Sequence, residues 1–164
     1  MDAFASDPAG YAGSAQFDVD RRQAKKMTKA REIMTSDPEC VRSSDTVLDA
    51  AKRMAELQVG AMPICGEDNR LKGMLTDRDI VVKVLAQGKD PRAVNAGELA
   101  QGEAVTIGAD DDAEEILRTM SDHKVRRLPV IDGHDLVGIV AQADVARALK
   151  DPQVGDLVQA LSTD

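Results

Sequence analysis

Aromatic side chains are almost absent from this chain of 164 residues, which has no tryptophan, one tyrosine and two phenylalanines. Phe4, Tyr11 and Phe17 all precede Met27, so the rest of the sequence contains no aromatic residue. A core built from that part must therefore consist of aliphatic side chains and methionine. The absence also removes the platforms on which single-stranded nucleic acids stack their bases.

Long apolar runs and metal-ligand patterns are missing as well. No uninterrupted hydrophobic stretch approaches the roughly 18 residues of a membrane span, and no signal-peptide core follows the N-terminus. We therefore expect a cytoplasmic protein with no membrane partner. The histidines, His123 and His134, and the cysteines, Cys40 and Cys65, lack the spacing of zinc ligands, so no metal site is expected.

Negative charge predominates, with 29 acidic against 21 basic residues and a formal net charge of −8. An acidic chain repels phosphate backbones at long range, so we expect no nucleic-acid partner. A small anionic ligand stays compatible with this charge, because a few local cations suffice to hold it. The hydrophobic fraction of 43% and the charged fraction of 30% are typical of a globular domain.

An internal repeat is the strongest positive signal in the sequence. An offset of 66 residues aligns Ala30 with Ala96, Asp45 with Asp111, Met54 with Met120 and Pro63 with Pro129, and an offset of 65 then aligns Gly73 with Gly138 and Asp79 with Asp144. A constant offset of this kind indicates a duplicated unit. We divide the chain into a flexible N-terminal extension (1–28), repeat 1 (29–90), repeat 2 (91–150) and a C-terminal tail (151–164) that could add a helix.

Both repeats show the same order of predicted elements. Apolar residues at helical spacing predict a first helix, on Val47, Ala50, Ala51 and Met54 in repeat 1 and on Ala113, Ile116, Leu117 and Met120 in repeat 2. Ser44 and Asp111 are the expected N-caps. Strands are predicted at 61–64 and 71–76 and at 127–130 and 136–141, with closing helices at 77–86 and 142–149. The unit is strand, helix, strand, strand, helix, which predicts an α/β fold of the α+β type.

The repeat resembles the CBS domain, the cystathionine-β-synthase-type repeat. The segment Gly73-Met74-Leu75-Thr76-Asp77-Arg78-Asp79 matches the Gly-x-x-Thr/Ser-x-x-Asp signature of that family. In repeat 2 the signature keeps Gly138 and Asp144 but has Ala141 at the hydroxyl position. The opening segment 27–34, the paired cysteines and the short chain also resemble small stand-alone bacterial CBS-pair proteins of the hypoxic-response type.

The resemblance implies a CBS pair with a regulatory function and no enzyme activity or cofactor. Such pairs commonly bind adenosine-containing ligands such as AMP, ADP or ATP in clefts between the two repeats. Asp79 would accept the ribose hydroxyls and Thr76 would donate to phosphate at a helix N-terminus. Cations on the middle strand of the other repeat reach this cleft in the family, and here those positions are Arg126 and Arg127. The alternative is that Thr76 and Asp79 only cap the helix while the arginines pair with surface carboxylates.

The second cleft of the pair has a poorer set of residues. Asp144 is present, but Ala141 cannot donate to phosphate, and Gly60 and Ala61 occupy the positions that match Arg126 and Arg127. We expect this second, weaker site to be empty or to favour a less charged adenosine derivative.

Two other readings of function stay open. The first is a ligand-independent, disulfide-stabilised stress-response scaffold or interaction protein, whose protein partner the sequence does not identify. The second is an enzyme, which the sequence disfavours because it has no Ser-His-Asp set, no phosphate-binding glycine loop and no Cys-x-x-Cys motif. We also expect a homodimer, because the helices of each repeat offer more apolar surface than one partner repeat can cover.

Cys40 and Cys65 are the only cysteines. The repeat places them on two strands of one small sheet, within reach of a disulfide, and the resemblance to the hypoxic-response type favours the bond. Two buried thiols are the alternative, since thiols stay reduced in the cytoplasm.

Overall fold

A computed structural model of the protein describes residues 28–100 and 102–148, together with Gly155. The expectations of a flexible extension before residue 28 and of a helix in the tail concern segments that lie outside the described residues or almost entirely so. Among the residues described, no helix has both the length and the apolar character needed to cross a lipid bilayer.

The order of elements predicted for each repeat is confirmed. The first half of the chain forms α1 (Ala30–Ile33), β1 (Thr35–Ser36), β2 (Val41–Arg42), α2 (Val47–Leu57), β3 (Ala61–Cys65), β4 (Leu71–Thr76), α3 (Asp77–Asp79) and a π-helix (Ile80–Leu85). The second half forms a 3-10 helix (Ala96–Leu99), β5 (Ile107–Gly108), α4 (Ala113–His123), β6 (Arg127–Asp132), β7 (Asp135–Ala141) and α5 (Gln142–Ala148).

The strands form two mixed sheets, one for each repeat. In the three-stranded sheet β2 runs parallel to β3, and β3 runs antiparallel to β4. The four-stranded sheet repeats this arrangement with β5, β6 and β7 and adds β1 antiparallel to β7. The predicted α+β fold of two similar units is therefore confirmed.

Each middle strand contains a proline, Pro63 in β3 and Pro129 in β6. Proline cannot donate a hydrogen bond, so it fits only where one side of the strand lacks a ladder partner. The parallel partners β2 and β5 are two residues long and begin opposite Ile64 and Val130, one residue beyond each proline. The prolines thus end the parallel pairing and leave the start of each middle strand open.

The N-caps of the two long helices lie one or two residues later than predicted. The Thr46 hydroxyl, and not Ser44, accepts from the backbone N–H of Asp49, and the Asp112 carboxylate, and not Asp111, accepts from Glu114 and Glu115. Asp111 instead accepts from the backbone N–H of Gly108, so it holds the loop before the helix. Several short polar residues precede each helix, and the tertiary course of the loop selects which one caps it.

The opening segments of the two repeats are exchanged between them. The N–H groups of Ala30 and Arg31 donate to the carbonyls of Asp111 and Ala109 in repeat 2, at 2.8 and 3.0 Å. At the matching positions, the N–H groups of Ala96 and Gly97 donate to the carbonyls of Asp45 and Ser43 in repeat 1, at 2.8 and 3.0 Å. Each repeat is therefore completed by the opening segment of the other repeat.

Two aliphatic cores follow this exchange. The first contains the buried residues of α2, β3, β4 and the π-helix together with Val94, Ala96 and Leu99. The second contains the buried residues of β6, β7, α4 and α5 together with Ala30, against which Ile33 and Met34 also pack. Both cores are made of aliphatic side chains and methionine, as the composition predicts.

The glycine of each signature lies under an exchanged segment. A Cβ atom added to Gly73 would come within 3.2 Å of the Ala100 Cα, and one added to Gly138 would come within 3.0 Å of the Thr35 carbonyl oxygen. Glycine is required at these positions because the backbone of another segment passes directly over the strand.

A disulfide joins Cys40 and Cys65, whose Cα atoms are 5.7 Å apart. Cys65 ends β3 and Cys40 precedes β2, so the bond fixes a two-residue strand to its neighbour. The Cys65 carbonyl also accepts from the backbone N–H and the hydroxyl of Ser43, at 2.9 and 3.2 Å. The bond therefore lies directly beside the loop that receives the exchanged segment 94–97.

We expect the disulfide to stabilise the protein. Its removal in a Cys40→Ser, Cys65→Ser double variant should lower the free energy of unfolding by about 3 kcal/mol, because the unfolded chain regains the entropy of an open loop. Denaturant titration of the variant and of the untreated protein measures the difference. Intact-mass analysis after alkylation without reductant supplies the control: the native protein should remain unlabelled, whereas two labelled thiols would contradict the disulfide.

Candidate functional site

A cavity of about 830 Å³ lies between the two repeats. Repeat 1 contributes the start of β3 and the junction from β4 to α3, and repeat 2 contributes the segments before β5 and β6. Its lining residues are Gly60, Ala61, Gly73, Met74, Thr76, Asp77, Arg78, Glu103, Ala104, Val105, Lys124, Val125, Arg126 and Arg127. The cavity is therefore built from both repeats, and neither repeat could form it alone.

Positive charge predominates along the lining. Arg78, Lys124, Arg126 and Arg127 contribute four cations, whereas Asp77 and Glu103 contribute two carboxylates. All four cationic residues are exposed, and the side chain of Arg127 makes no hydrogen bond or ion pair that involves another described residue. A net positive lining in a protein of net charge −8 is a local feature that favours an anionic ligand.

The turn after α4 carries this positive charge. Lys124 ends the helix in the left-handed conformation, with φ of 52°, and Gln58 does the same after α2 with φ of 54°. At the position that matches Arg126, repeat 1 has Gly60, and a Cβ atom there would come within 3.0 Å of a carboxylate oxygen of Asp77. The two repeats thus share a backbone turn, but only repeat 2 places cations on it.

Thr76 and Asp79 form a closed hydrogen-bonded pair at the start of α3. The Asp79 Oδ2 atom accepts from the Thr76 backbone N–H at 3.0 Å and from the Thr76 hydroxyl at 2.6 Å. In return, the Thr76 Oγ1 atom accepts from the Asp79 N–H at 3.0 Å. This is a capping box, so the helix-capping role considered for these residues is present in the structure.

Lys83 occupies the other oxygen of the same carboxylate. Its ammonium donates to Asp79 Oδ1, and both side chains are largely buried, with 29% and 21% of their surfaces exposed. Burial raises the pKa of the Asp79 carboxyl, but the hydrogen bonds from Lys83 and Thr76 outweigh burial and lower the pKa below its usual value. Asp79 is consequently ionised at neutral pH.

The structure brings together three of the four residues predicted for the principal site. Thr76, Arg126 and Arg127 all line the cavity, whereas Asp79 lies one helical turn further along and is not among the lining residues. Thr76 lines the cavity, and its hydroxyl proton is already donated to Asp79.

The weaker site predicted in repeat 2 has a related geometry. Asp144 accepts from the Ala141 backbone N–H at 2.8 Å and from the guanidinium of Arg147. A smaller cavity of about 360 Å³ lies beside this junction and is lined by Arg126, Arg127, Ala141, Gln142, Ala143 and Ala146. Asp144 does not line it, and the two arginines border both cavities.

Sequence reasoning missed three cationic residues at this site. Arg78 lies inside the signature and Lys124 adjoins Arg126 and Arg127 in the basic run 123–127, so both carried a visible signal. Lys83 lies four residues after Asp79 in the predicted helix 77–86, the spacing at which helical ion pairs form, so it also carried a signal.

Metal ligands do not cluster in the part of the chain that the structure describes, where no group of three or more His, Cys, Asp or Glu side chains could hold an ion. Cys40 and Cys65 are bonded to each other, and His123 and His134 are both exposed.

Comparison with known proteins matches both repeats to one family. The CBS domain is recognised at residues 30–86 and 96–151. Hypoxic response protein 1 of Mycobacterium tuberculosis is 49% identical over 135 residues, which cover 82% of this chain and 94% of that protein.

Solved structures show the same fold. The crystal structure of Hypoxic Response Protein I with two coordinated zinc ions matches with a TM-score of 0.70 and 51% identity, covering 75% of this chain and all of that one. The CBS domain pair of protein MJ0100, in complex with 5-methylthioadenosine and S-adenosyl-L-methionine, matches with a TM-score of 0.67 and 28% identity. That match covers 74% of this chain and 94% of the other. With both repeats matched and the fold shared, this chain belongs to the CBS domain family.

Proposed function

We propose that the protein is a non-enzymatic regulatory module that binds an adenine nucleotide, such as AMP, ADP or ATP, in the cavity between its repeats. The observation that carries the proposal is the net positive lining of this cavity, beside the signature junction of repeat 1. A ligand that contacts both repeats would favour the arrangement of the repeats that binds it best, and a partner protein could respond to that arrangement.

Phosphate groups find directed donors in the cavity. The guanidinium groups of Arg126 and Arg127 offer planar, charge-assisted hydrogen bonds, and Lys124 and Arg78 add charge. The base would contact Met74, Val105 and Val125, which supply aliphatic surface in a lining without aromatic rings. Recognition of the base would therefore depend on shape and backbone polar groups.

The MJ0100 pair supports this proposal, because it has the same fold and its structure contains two adenosine derivatives. The zinc ions of Hypoxic Response Protein I suggest a metal as another ligand for this family. The described residues of this chain do not fit that group, since they lack a cluster of three ligand side chains.

The second candidate function is a ligand-independent stress-response scaffold in the cytoplasm. Two observations support it. Thr76, Asp79 and Lys83 are hydrogen-bonded to one another without a ligand, and the Cys40–Cys65 disulfide stabilises the fold independently of any ligand. Thermal unfolding with a panel of adenine nucleotides separates the two functions, because a ligand that binds only the folded state raises the melting temperature.

We also propose a homodimer that forms through repeat 1. The large hydrophobic residues that are exposed in the described part of the chain all lie on α2, the turn after it or the π-helix: Leu57, Val59, Val81, Val82 and Leu85. At matching positions repeat 2 has His123 for Leu57 and Arg147 for Val82. A patch confined to one repeat favours a symmetric contact of repeat 1 with repeat 1.

Replacement of Arg127 by Met should weaken nucleotide binding at least about tenfold, because a charge-assisted hydrogen bond to phosphate is lost. Calorimetric titration with ATP measures the effect. Because the Arg127 side chain makes no contact of this kind with other described residues, the melting temperature without ligand should stay unchanged. Arg118→Met on the exposed face of α4 is the matched control. Equal affinities for the two variants would contradict the proposed site.

The two signature carboxylates should contribute unequally to binding. Asp79→Ala should cost about 1.5 to 3 kcal/mol of binding free energy through the lost ribose contact, whereas Asp144→Ala should cost much less. Both substitutions remove a bond at a helix start, so calorimetry is paired with the melting temperature of each free variant. Equal losses of affinity, or two equal sites in the native protein, would contradict the asymmetry.

The homodimer predicts a molar mass in solution of twice the 17.6 kDa of the chain. Leu57→Glu should shift the light-scattering mass toward that of the monomer, because it places a charge within the apolar patch. His123→Glu, at the matched position of repeat 2, should leave the mass unchanged. A native protein that scatters as a monomer at micromolar concentration would rule out the dimer.

A further inference from the structure

The carboxylate of Asp79 is already bonded at both oxygens in the free protein. Two donors from Thr76 occupy Oδ2, and the ammonium of Lys83 occupies Oδ1. A ribose hydroxyl can bind a carboxylate only by donating a proton to one of its oxygens. An ionised carboxylate accepts about four hydrogen bonds, and three are already made here, so a diol that donates two must displace one of these donors.

Lys83 is the donor that can leave. The Thr76 bonds belong to the capping box, and their loss would expose the start of the helix. The Lys83 side chain is 29% exposed and joined to the helix by a flexible four-carbon stem, so its ammonium can move into water without disturbing the backbone.

Repeat 2 has Ala148 at the position that matches Lys83, and its signature aspartate is paired with Arg147 instead. Arg147 reaches Asp144 from three residues away, and 73% of its side chain is exposed, compared with 29% for Lys83. Lys83 lies in a six-residue π-helix, whereas Arg147 lies in the regular helix α5. π-Helical turns are rare and concentrate at functional sites. Both signature aspartates are therefore bonded at both oxygens, and a lysine carried on a π-helix distinguishes repeat 1.

We propose that Lys83 is an internal competitor for Asp79, a positioning residue that a ribose diol must displace and that lowers the affinity of the resting site. This inference rests on the proposed nucleotide function. Through this competition the module would stay empty at low ligand concentration and fill only when the nucleoside is abundant.

Two other roles of Lys83 make different predictions. If the ion pair only stabilised the helix, its removal would lower the melting temperature and leave ligand affinity unchanged. If Lys83 bound phosphate, its removal would weaken the binding of AMP and leave the binding of adenosine unchanged. Adenosine is therefore the decisive probe, since it has the ribose diol and no charge.

The experiment compares the full-length protein with Lys83→Met and Lys83→Arg by titration with adenosine and with AMP. Lys83→Met should bind adenosine about three- to tenfold more tightly, the range expected for the loss of a competing, partly exposed ion pair. Lys83→Arg keeps a cation beside Asp79 and should therefore bind adenosine with the native affinity. Arg147→Met, which breaks the ion pair of the signature aspartate in repeat 2, is the control and should not change adenosine binding at the principal site.

A double-mutant cycle with Asp79→Asn adds a test that a purely structural role would not pass. The gain from Lys83→Met should disappear when Asp79 is replaced, because the competition needs the carboxylate. Melting temperatures of the free variants show that each is folded.

Failure of this inference differs from failure of the proposed function. If the native protein binds AMP with an affinity that depends on Arg127, but Lys83→Met binds adenosine no more tightly, Lys83 does not compete and the nucleotide site stands. If neither the native protein nor Lys83→Met binds AMP or adenosine, both are overturned.

Discussion

The exchange of the opening segments between the two repeats is the constraint on which the rest of the structure depends. Ala30 and Arg31 are bonded to the loop before α4, and Ala96 and Gly97 are bonded to the loop before α2. Ala30 is fully buried in the core of repeat 2, and Ala96 is fully buried in the core of repeat 1. Neither repeat can complete its core alone, and the cavity lies between two repeats that are joined by these crossed connections.

The signature has two sets of duties for the same side chains. Its glycine allows the exchanged segment to pass over β4, and its threonine and aspartate start α3 through a capping box. These are structural duties, and repeat 2 retains most of them without a threonine, because the Ala141 backbone N–H still donates to Asp144. A motif match therefore identifies the fold directly, whereas ligand binding depends on what surrounds the motif: the cations beyond α4 and the lysine in the π-helix.

Much of the fold could be predicted from the sequence, because the repeat fixes the order of elements and the helical and strand periodicities fix their type. The strands at 61–64 and 71–76 lie where the pattern placed them, with small changes at their ends. The exchange could not be predicted, because an offset of 66 residues relates Ala30 to Ala96 without saying which core receives either of them. The caps differed by one or two residues for a related reason: neighbouring polar side chains have similar propensities, and tertiary contacts decide among them.

At the site, the sequence predicted which residues lie at the cavity better than it predicted the hydrogen bonds that they make. Thr76, Arg126 and Arg127 meet at one cavity, which the family pattern implied. The spacing of Lys83 from Asp79 favours the ion pair at Oδ1, but the π-helix that carries Lys83 has no signal in the local sequence.

Arg126 and Arg127 border both cavities, so the same two cationic residues line two separate volumes. The electrostatic potential that these groups create is a shared quantity, and an anion held in either volume diminishes the attraction left for the other. Two clefts of this kind do not behave as two independent compartments. The two cavities share one positive potential, so the protein would respond to the total negative charge bound between its repeats and not to the number of ligands.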